Sequence, residues 1–182
     1  MLKLIILDRD GVINHDSDQY IKSPEEWTPI DGSLEAIAQF NHTGLKVCVA
    51  TNQSGIARGY FNKEVLNRIH DKMGRLLRGK EGWIDHLSYC PHGPGDNCIC
   101  RKPKPGMLLK IIETMGVQKD ETIFIGDTIG DMLAAEQAGI SFALVKSGKG
   151  ERTISSNPEA LKRVAIFRDL QHFSDSLLAY SP

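Results

Sequence analysis

Three segments of this chain are apolar almost without interruption, and each runs into residues capable of chemistry. Residues 3–8 read KLIILD, residues 45–51 read LKVCVAT, and residues 122–126 read TIFIG, followed by Asp127. Successive side chains of a strand point to opposite faces, so a strand apolar at every position must be covered on both sides. The segments between them supply the cover. Leu34, Ile37 and Ala38 fall at helical spacing over 33–42, with Gly44 placed to end that helix. Asn62 is a natural cap for a helix that puts Leu66, Ile69, Met73, Leu76 and Leu77 on one face. Helices are also expected over 107–115 and 130–138, strands over 84–89 and 140–145, and a final helix from Asp169 onward. This alternation predicts an α/β fold of three layers, a mostly parallel sheet between helices, as a single domain over 1–182.

Such sheets bind ligands beyond the carboxyl ends of their strands. Asp8 and Asp10 follow the first strand, Thr51 and Asn52 end the second, and Asp127 follows TIFIG. Carboxylates and a hydroxyl in one place suit a metal ion and a phosphate better than an apolar cofactor. No G-x-G-x-x-G follows the first strand, so a dinucleotide site lacks its pyrophosphate loop. Gly148-Lys149 has the look of a Walker motif, but Gly150 stands where Ser or Thr is needed and Ala143 where the first glycine is needed.

Charge narrows the partners. Lys and Arg number 22 against 23 Asp and Glu, a net charge of −1, which gives no overall attraction to nucleic acid or an anionic membrane. The apolar run over residues 4–7 is too short for a signal-peptide core or a membrane span, and no other stretch approaches one. The expectation is a cytoplasmic protein, monomeric, without nucleic-acid or membrane partners.

A carboxylate that attacks phosphorus needs its own charge and that of the phosphate offset together, which Mg²⁺ does through oxygen ligands. Of the pair Asp8 and Asp10, one carboxylate can attack while the other moves the proton. Gly11 lets the backbone turn away after them. Thr51 can donate a hydroxyl to a phosphoryl oxygen, and either Lys102 or Lys104 can offset developing charge. Asp127 completes a metal shell, with Asp131 one helical turn on. A lone D-x-D after a strand is weak, because acids there often cap a helix. DRDGV, TNQSG and GD-x-x-x-D after successive strands are much harder to explain as caps.

Cys90, His92, Cys98 and Cys100 form C-x-H-x5-C-x-C, three sulfurs and an imidazole, a complete tetrahedral shell for Zn²⁺. With no position left open, that zinc is structural. Cys48 lies within an apolar strand and is read as core. Cys100 is joined directly to Arg101 and Lys102, so fixing the loop pre-positions two cations for an anionic substrate.

Together these motifs resemble the haloacid dehalogenase-like (HAD-like) phosphohydrolase superfamily over most of the chain. The resemblance implies a Rossmann-like (HAD-like) fold and a Mg²⁺-dependent phosphatase. It makes Asp8 the nucleophile that becomes an aspartyl-phosphate, and Asp10 the general acid and then the base. Thr51 and Lys102 would hold the phosphoryl group, with Lys102 favoured by relatives that carry a zinc loop. Asp8, the backbone carbonyl of Asp10, and Asp127 would hold Mg²⁺. Arg9 and Val12 are departures at variable positions. The gaps between Asp10, Thr51 and Asp127 are filled by elements already assigned, so no large cap domain is expected. The site should be open, bordered by loops 14–30 and 90–106.

Within the superfamily, DRDGVIN, TNQSGIARG and CPHGPGDNCICRKPKPGM are similar to a family of sugar bisphosphate phosphatases. Its members remove the 7-phosphate of D-glycero-D-manno-heptose 1,7-bisphosphate, for lipopolysaccharide or S-layer heptose. Substrate contacts implied by this resemblance are Asp16, Ser17, Asp18, Gln19, Thr51, Asn52, Gln53, Ser54, Arg101 and Lys102, with Arg101 also assisting catalysis. The sibling group, histidinol-phosphate phosphatases of histidine biosynthesis, usually carries TNQDG, so Ser54 followed by IARG favours the heptose family. A polynucleotide 3′-phosphatase would need a basic groove for the backbone, against a net charge of −1. A non-enzymatic zinc module would have no use for acids at three strand ends.

Overall fold

The computed structural model describes residues 1–179, so the last three residues of the domain expected over 1–182, and of the tail helix, lie outside the described residues. Strands β1 (Leu4–Leu7), β2 (Lys46–Asn52), β3 (His86–Cys90), β4 (Thr122–Gly126), β5 (Ser141–Val145) and β6 (Ala165–Phe167) form one sheet among the described residues. Their spatial order is β3-β2-β1-β4-β5-β6, and every pairing is parallel. The helices are α1 (Ser33–His42), α2 (Lys63–Arg78), α3 (Gly106–Met115), α4 (Ile129–Ala138), α5 (Gly150–Ser156) and α6 (Leu170–Ala179).

The apolar runs are explained by two cores. Ile5 and Leu7 of β1 pack with Val47 and Val49 on the face covered by Ile37, Phe40, Ile69, Met73 and Phe173 of α1, α2 and α6. Leu4 and Ile6 face the other way, with Cys48, Ala50 and Phe124, against Leu108, Ile111, Ala134 and Ala138 of α3 and α4. Alternate residues of one strand therefore serve different cores, and none is left for solvent. Cys48 is core, as its setting in the sequence implies.

Local chemistry sets the element ends. Asn62 caps α2 by accepting from the Val65 N–H at 3.0 Å. Gly44 takes φ +81° beyond α1, a conformation that costs glycine nothing. Three details differ from the sequence reading. β3 begins at His86 rather than residue 84 and ends on Cys90, which puts a residue of the expected zinc loop on the strand itself. α5 and β6 were not anticipated. β6 has three residues, of which Ala165 and Ile166 are exposed at the sheet edge, so it carries no run of buried apolar positions. No separate cap layer stands between the strands and the carboxyl-end surface among the described residues.

Candidate active site

β1 lies at the middle of the sheet between β2 and β4, which are reached in opposite directions along the strand order, so a crevice opens beyond its carboxyl end. The strand ends at Leu7. Asp8 continues its direction by donating to the Ile125 carbonyl, and the Arg9 carbonyl then collects the N–H groups of Val12, Ile13 and Asn14 in a tight turn. The two acids thus reach the crevice through a turn rather than by alternation along a continuing strand. Gly11 takes φ +85°, and a Cβ there would overlap the Asp127 carboxylate.

Asp8, Asp127 and Asp131 present oxygens that lie within 4.8 Å of one another. Lys102 reaches into this group from the side of the loop that carries Cys98 and Cys100. Its Nζ is 2.9 Å from Asp8 Oδ2, 2.7 Å from Asp131 Oδ1 and 2.9 Å from the Ala50 carbonyl. Lys104 instead donates to the Cys98 carbonyl at 2.6 Å and is exposed. Of the two lysines left open by spacing, Lys102 is therefore the one in the crevice. Its backbone is clamped by Asn52, which accepts from Lys102 N at 3.2 Å and donates to Lys102 O at 3.1 Å.

Electrostatics follow from crowding. Burial raises the Asp8 carboxyl to about 7, with the Asp131 and Asp10 charges adding to it and Lys102 opposing. Burial also raises Asp127 to about 8, helped by Asp131 and Asp8 and opposed by the Lys149 N–H. Burial alone would lower the Lys102 ammonium, but Asp131 and Asp8 outweigh it and hold it above the ordinary lysine range. Crowding of buried acids around one ammonium thus keeps Asp8 and Asp127 above the ordinary carboxylate range. Asp127 Oδ1 is buried with no hydrogen-bond partner, while its Oδ2 takes the Lys149 N–H at 2.7 Å. An orphaned carboxylate oxygen beside Asp8 fits a hard divalent cation such as Mg²⁺. Asp131 is committed elsewhere: it bonds Lys102 and accepts the Thr128 N–H and hydroxyl at 3.1 and 2.6 Å.

The Asp10 carboxylate stands apart from this acid cluster. It accepts from Arg9 Nε and Nη2 at 3.1 and 2.9 Å, from Asn14 at 2.9 Å and from Gln53 at 2.9 Å. Burial works to raise it, but Arg9, Asn14 and Gln53 prevail and hold it below the ordinary range. Thr51, at the end of β2, is buried and accepts from the Gln53 amide at 2.9 Å.

These groups open into a cavity of about 390 Å³ that also exposes Asp16, Ser17, Asp18, Asn52, Ser54 and Arg101. Gln19, expected among the substrate contacts, is exposed and does not line it; Tyr20, with φ +66°, takes that place. The loop is tied down by Lys149, whose Nζ is 3.0 Å from Asp16, and by Arg152, 3.3 Å from Asp18.

In the second cluster, Cys90 Sγ is 3.2 Å from Cys100 Sγ and 3.8 Å from Cys98 Sγ. His92 Nδ1 is 3.5 Å from Cys90 and 3.4 Å from Cys100. Edges of a tetrahedron of sulfur and nitrogen around zinc are about 3.5–3.8 Å, so the donor set and spacing fit Zn²⁺. Burial opposes ionisation of Cys98, but N–H donation from Arg101, with Cys100 and Cys90 as neighbours, brings its thiol down to about 7. Arg101 turns back to donate to the His92 carbonyl at 3.2 Å, which binds the cation to the loop.

Sequence reasoning missed several residues here. Arg9, dismissed as variation, is fully buried against Asp10. Gly148 and Lys149, rejected as a nucleotide loop, cradle Asp127, and Ser147 donates to the Gly11 carbonyl at 2.7 Å. Their position just after β5, the strand next to β4, was the available signal.

The family model for haloacid dehalogenase-like hydrolases matches residues 3–139. The chain is 50% identical over 178 residues, 97% of its length and 100% of the relative's, to a D-glycero-beta-D-manno-heptose-1,7-bisphosphate 7-phosphatase of Pseudomonas putida. It is 51% identical over 176 residues to the protein of that name from Pseudomonas aeruginosa, covering 96% of this chain and 97% of the relative. A crystal structure of D,D-heptose 1,7-bisphosphate phosphatase from Bordetella bronchiseptica, complexed with magnesium and phosphate, superposes with a TM-score of 0.94 at 45% identity, covering 99% of this chain and 100% of that one.

Proposed function

The chain belongs to the haloacid dehalogenase-like hydrolases, and on that premise we propose that it removes the 7-phosphate of D-glycero-D-manno-heptose 1,7-bisphosphate through a phosphoryl-aspartate on Asp8. The names of its relatives specify the β anomer, which we take as the substrate form. The observation that carries the reading is the Lys102 ammonium held between Asp8 and Asp131 at the floor of an open, polar cavity, in a chain so similar along its whole length to these phosphatases.

In the first step a carboxylate oxygen of Asp8 attacks phosphorus while the bond from phosphorus to the sugar O7 breaks. Asp10, which must enter this step protonated against the pull of Arg9, Asn14 and Gln53, gives the proton that the leaving oxygen needs. Lys102 and the Thr51 hydroxyl meet the phosphoryl oxygens as charge builds on them. In the second step water attacks the phosphoryl-aspartate, its proton passes to Asp10, and Asp8 is regenerated with release of phosphate. Mg²⁺, held by Asp8, the Asp10 carbonyl and Asp127, would offset the negative charge that nucleophile and phosphate bring together. Zn²⁺ at Cys90, His92, Cys98 and Cys100 would hold the loop that delivers Arg101 and Lys102.

Asp16, Ser17, Asp18, Asn52, Gln53, Ser54 and Arg101 border the space for the sugar. The open mouth supports a substrate whose second phosphate extends outward. We take the enzyme to act as a cytoplasmic monomer in one catalytic domain, on a small phosphorylated sugar and without nucleic acid. Among the described residues no helix is long and apolar enough to cross a membrane.

The test compares kcat/KM for heptose 1,7-bisphosphate and histidinol phosphate with Mg²⁺ present, and Asp8→Asn as control. Preference for the heptose ester, lost in Asp8→Asn, supports the reading. Preference for histidinol phosphate would overturn the substrate, and full activity in Asp8→Asn would overturn the mechanism.

A further inference from the structure

We infer that Arg9, locked in place by His70, is the positioning residue that aims Asp10 at the hydrolytic water. The inference rests on the function proposed above and adds a residue to it. Arg9 is fully buried and does not line the cavity, so it is not built to touch substrate. Its guanidinium spends two edges on two neighbours. Nε and Nη2 take both oxygens of Asp10, at 3.1, 2.9 and 3.0 Å. Nη1 meets His70 Nε2 at 3.1 Å, across 61 positions of sequence. Arginine only donates, so His70 accepts there and carries its proton on Nδ1.

The need for such a device follows from the backbone. Asp10 lies beyond the end of β1, bridged only to Asn14 among the described residues, and backbone bonds leave the plane of its carboxylate free to turn. A planar fork bonded to both oxygens sets that plane, which a lysine ammonium cannot do. Asn14 and Gln53 complete the hold, one on each oxygen. In the second step the oxygen of water bonds to phosphorus, the bond from phosphorus to Asp8 breaks, and the proton goes to Asp10. A base displaced by about 1 Å can cost about 100-fold in such a step.

The aryl ester p-nitrophenyl phosphate separates this role from general support of the site. Its leaving group departs without a proton, so the first step does not need a well-aimed Asp10, whereas the second still does. Arg9→Lys and Arg9→Met should lower kcat by about 100-fold. They should leave kcat/KM within about 3-fold, and release one equivalent of p-nitrophenolate in a burst before slow turnover. Equal loss of kcat and kcat/KM without a burst would overturn the inference, as would wild-type behaviour.

If the Arg9 variants do not fold, His70 decides. His70→Leu should show a weaker form of the same pattern, and His70→Gln, which can still accept from Nη1, should restore turnover. His70→Leu behaving as wild type would overturn the inference. Asp8→Asn in parallel keeps the two claims apart. Undiminished turnover there would sink the parent mechanism. Loss of turnover there, with Arg9 and His70 variants at wild-type level, would sink this inference alone.

Discussion

Lys102 Nζ stands 2.9 Å from Asp8 Oδ2, in a chain whose cluster of three cysteines and a histidine ends two residues before that lysine. The pair joins the two motif sets. The acid comes from the end of β1, and the ammonium arrives from a loop that begins on the edge strand β3.

Removing the ammonium should be expensive twice over. Lys102→Met leaves Asp8 and the buried Asp131 without their cation, and breaking a buried pair costs about 3 kcal/mol or more. It should also remove the proposed donor to the phosphoryl group, a loss of about 100-fold to 1,000-fold in kcat. Thermal denaturation and steady-state kinetics should show both losses. A variant with wild-type kcat would exclude Lys102 from the reaction.

Magnesium affinity should climb with pH through the neutral range. In the metal-free protein, burial lifts Asp8 to about 7 and Asp127 to about 8, from an ordinary 3.8. Between those limits the folded state binds protons that the unfolded chain has released, so stability of the metal-free protein falls as pH rises from about 4 to about 8. Binding the cation requires both groups ionised, which becomes easier over the same window. The melting-temperature increase caused by saturating Mg²⁺ should therefore be larger at about pH 8.5 than at about pH 6. Equal increases would contradict the assignment of Asp8 and Asp127 as ligands.

Gly148→Ala should weaken that same metal site without touching a proposed ligand. Gly148 has φ +60°, and a Cβ there would overlap Asp127 and Gly11. The displaced backbone would take the Lys149 N–H from Asp127, and disturbing the support of a ligand typically costs about 10-fold to 100-fold in metal affinity. A Mg²⁺ titration of activity reads the shift; an unchanged half-saturation would mean the cradle is dispensable.

Cys98→Ala should cost the protein its zinc and, with it, substrate affinity. The loop holds Arg101 through the His92 carbonyl and leads directly into Lys102. Metal analysis should find zinc lost, and KM should rise by about 10-fold as the cations lose their fixed positions. Normal KM in zinc-free protein would show that the loop and the site are independent.

Much of this arrangement was legible in the linear chain, for a physical reason. Strands covered on both faces need unbroken apolar runs, and LIIL, VCVA and IFI announce β1, β2 and β4 directly. Once those strands are parallel, their polar ends must share one edge of the sheet, which brings Asp8, Thr51 and Asp127 together. Cys90, His92, Cys98 and Cys100 are close in sequence, so one short loop suffices to gather them. β6 was hidden because a three-residue strand at an exposed edge needs no apolar run.

What only the tertiary structure decided depends on contacts between distant segments. Lys102 and Lys104 are chemically alike and two residues apart; the Asn52 clamp and the Ala50 carbonyl, both on β2, select the first. Arg9 read only as a departure at a variable position until α2 brought His70 to its far side. Gly148 and Lys149 acquired a purpose only when β5 was laid beside β4, where their backbone meets Asp127. Strand runs and clustered ligands are properties of neighbouring residues and can be read along the chain. The partner of a buried charge is chosen by packing, and packing exists only after the chain has folded.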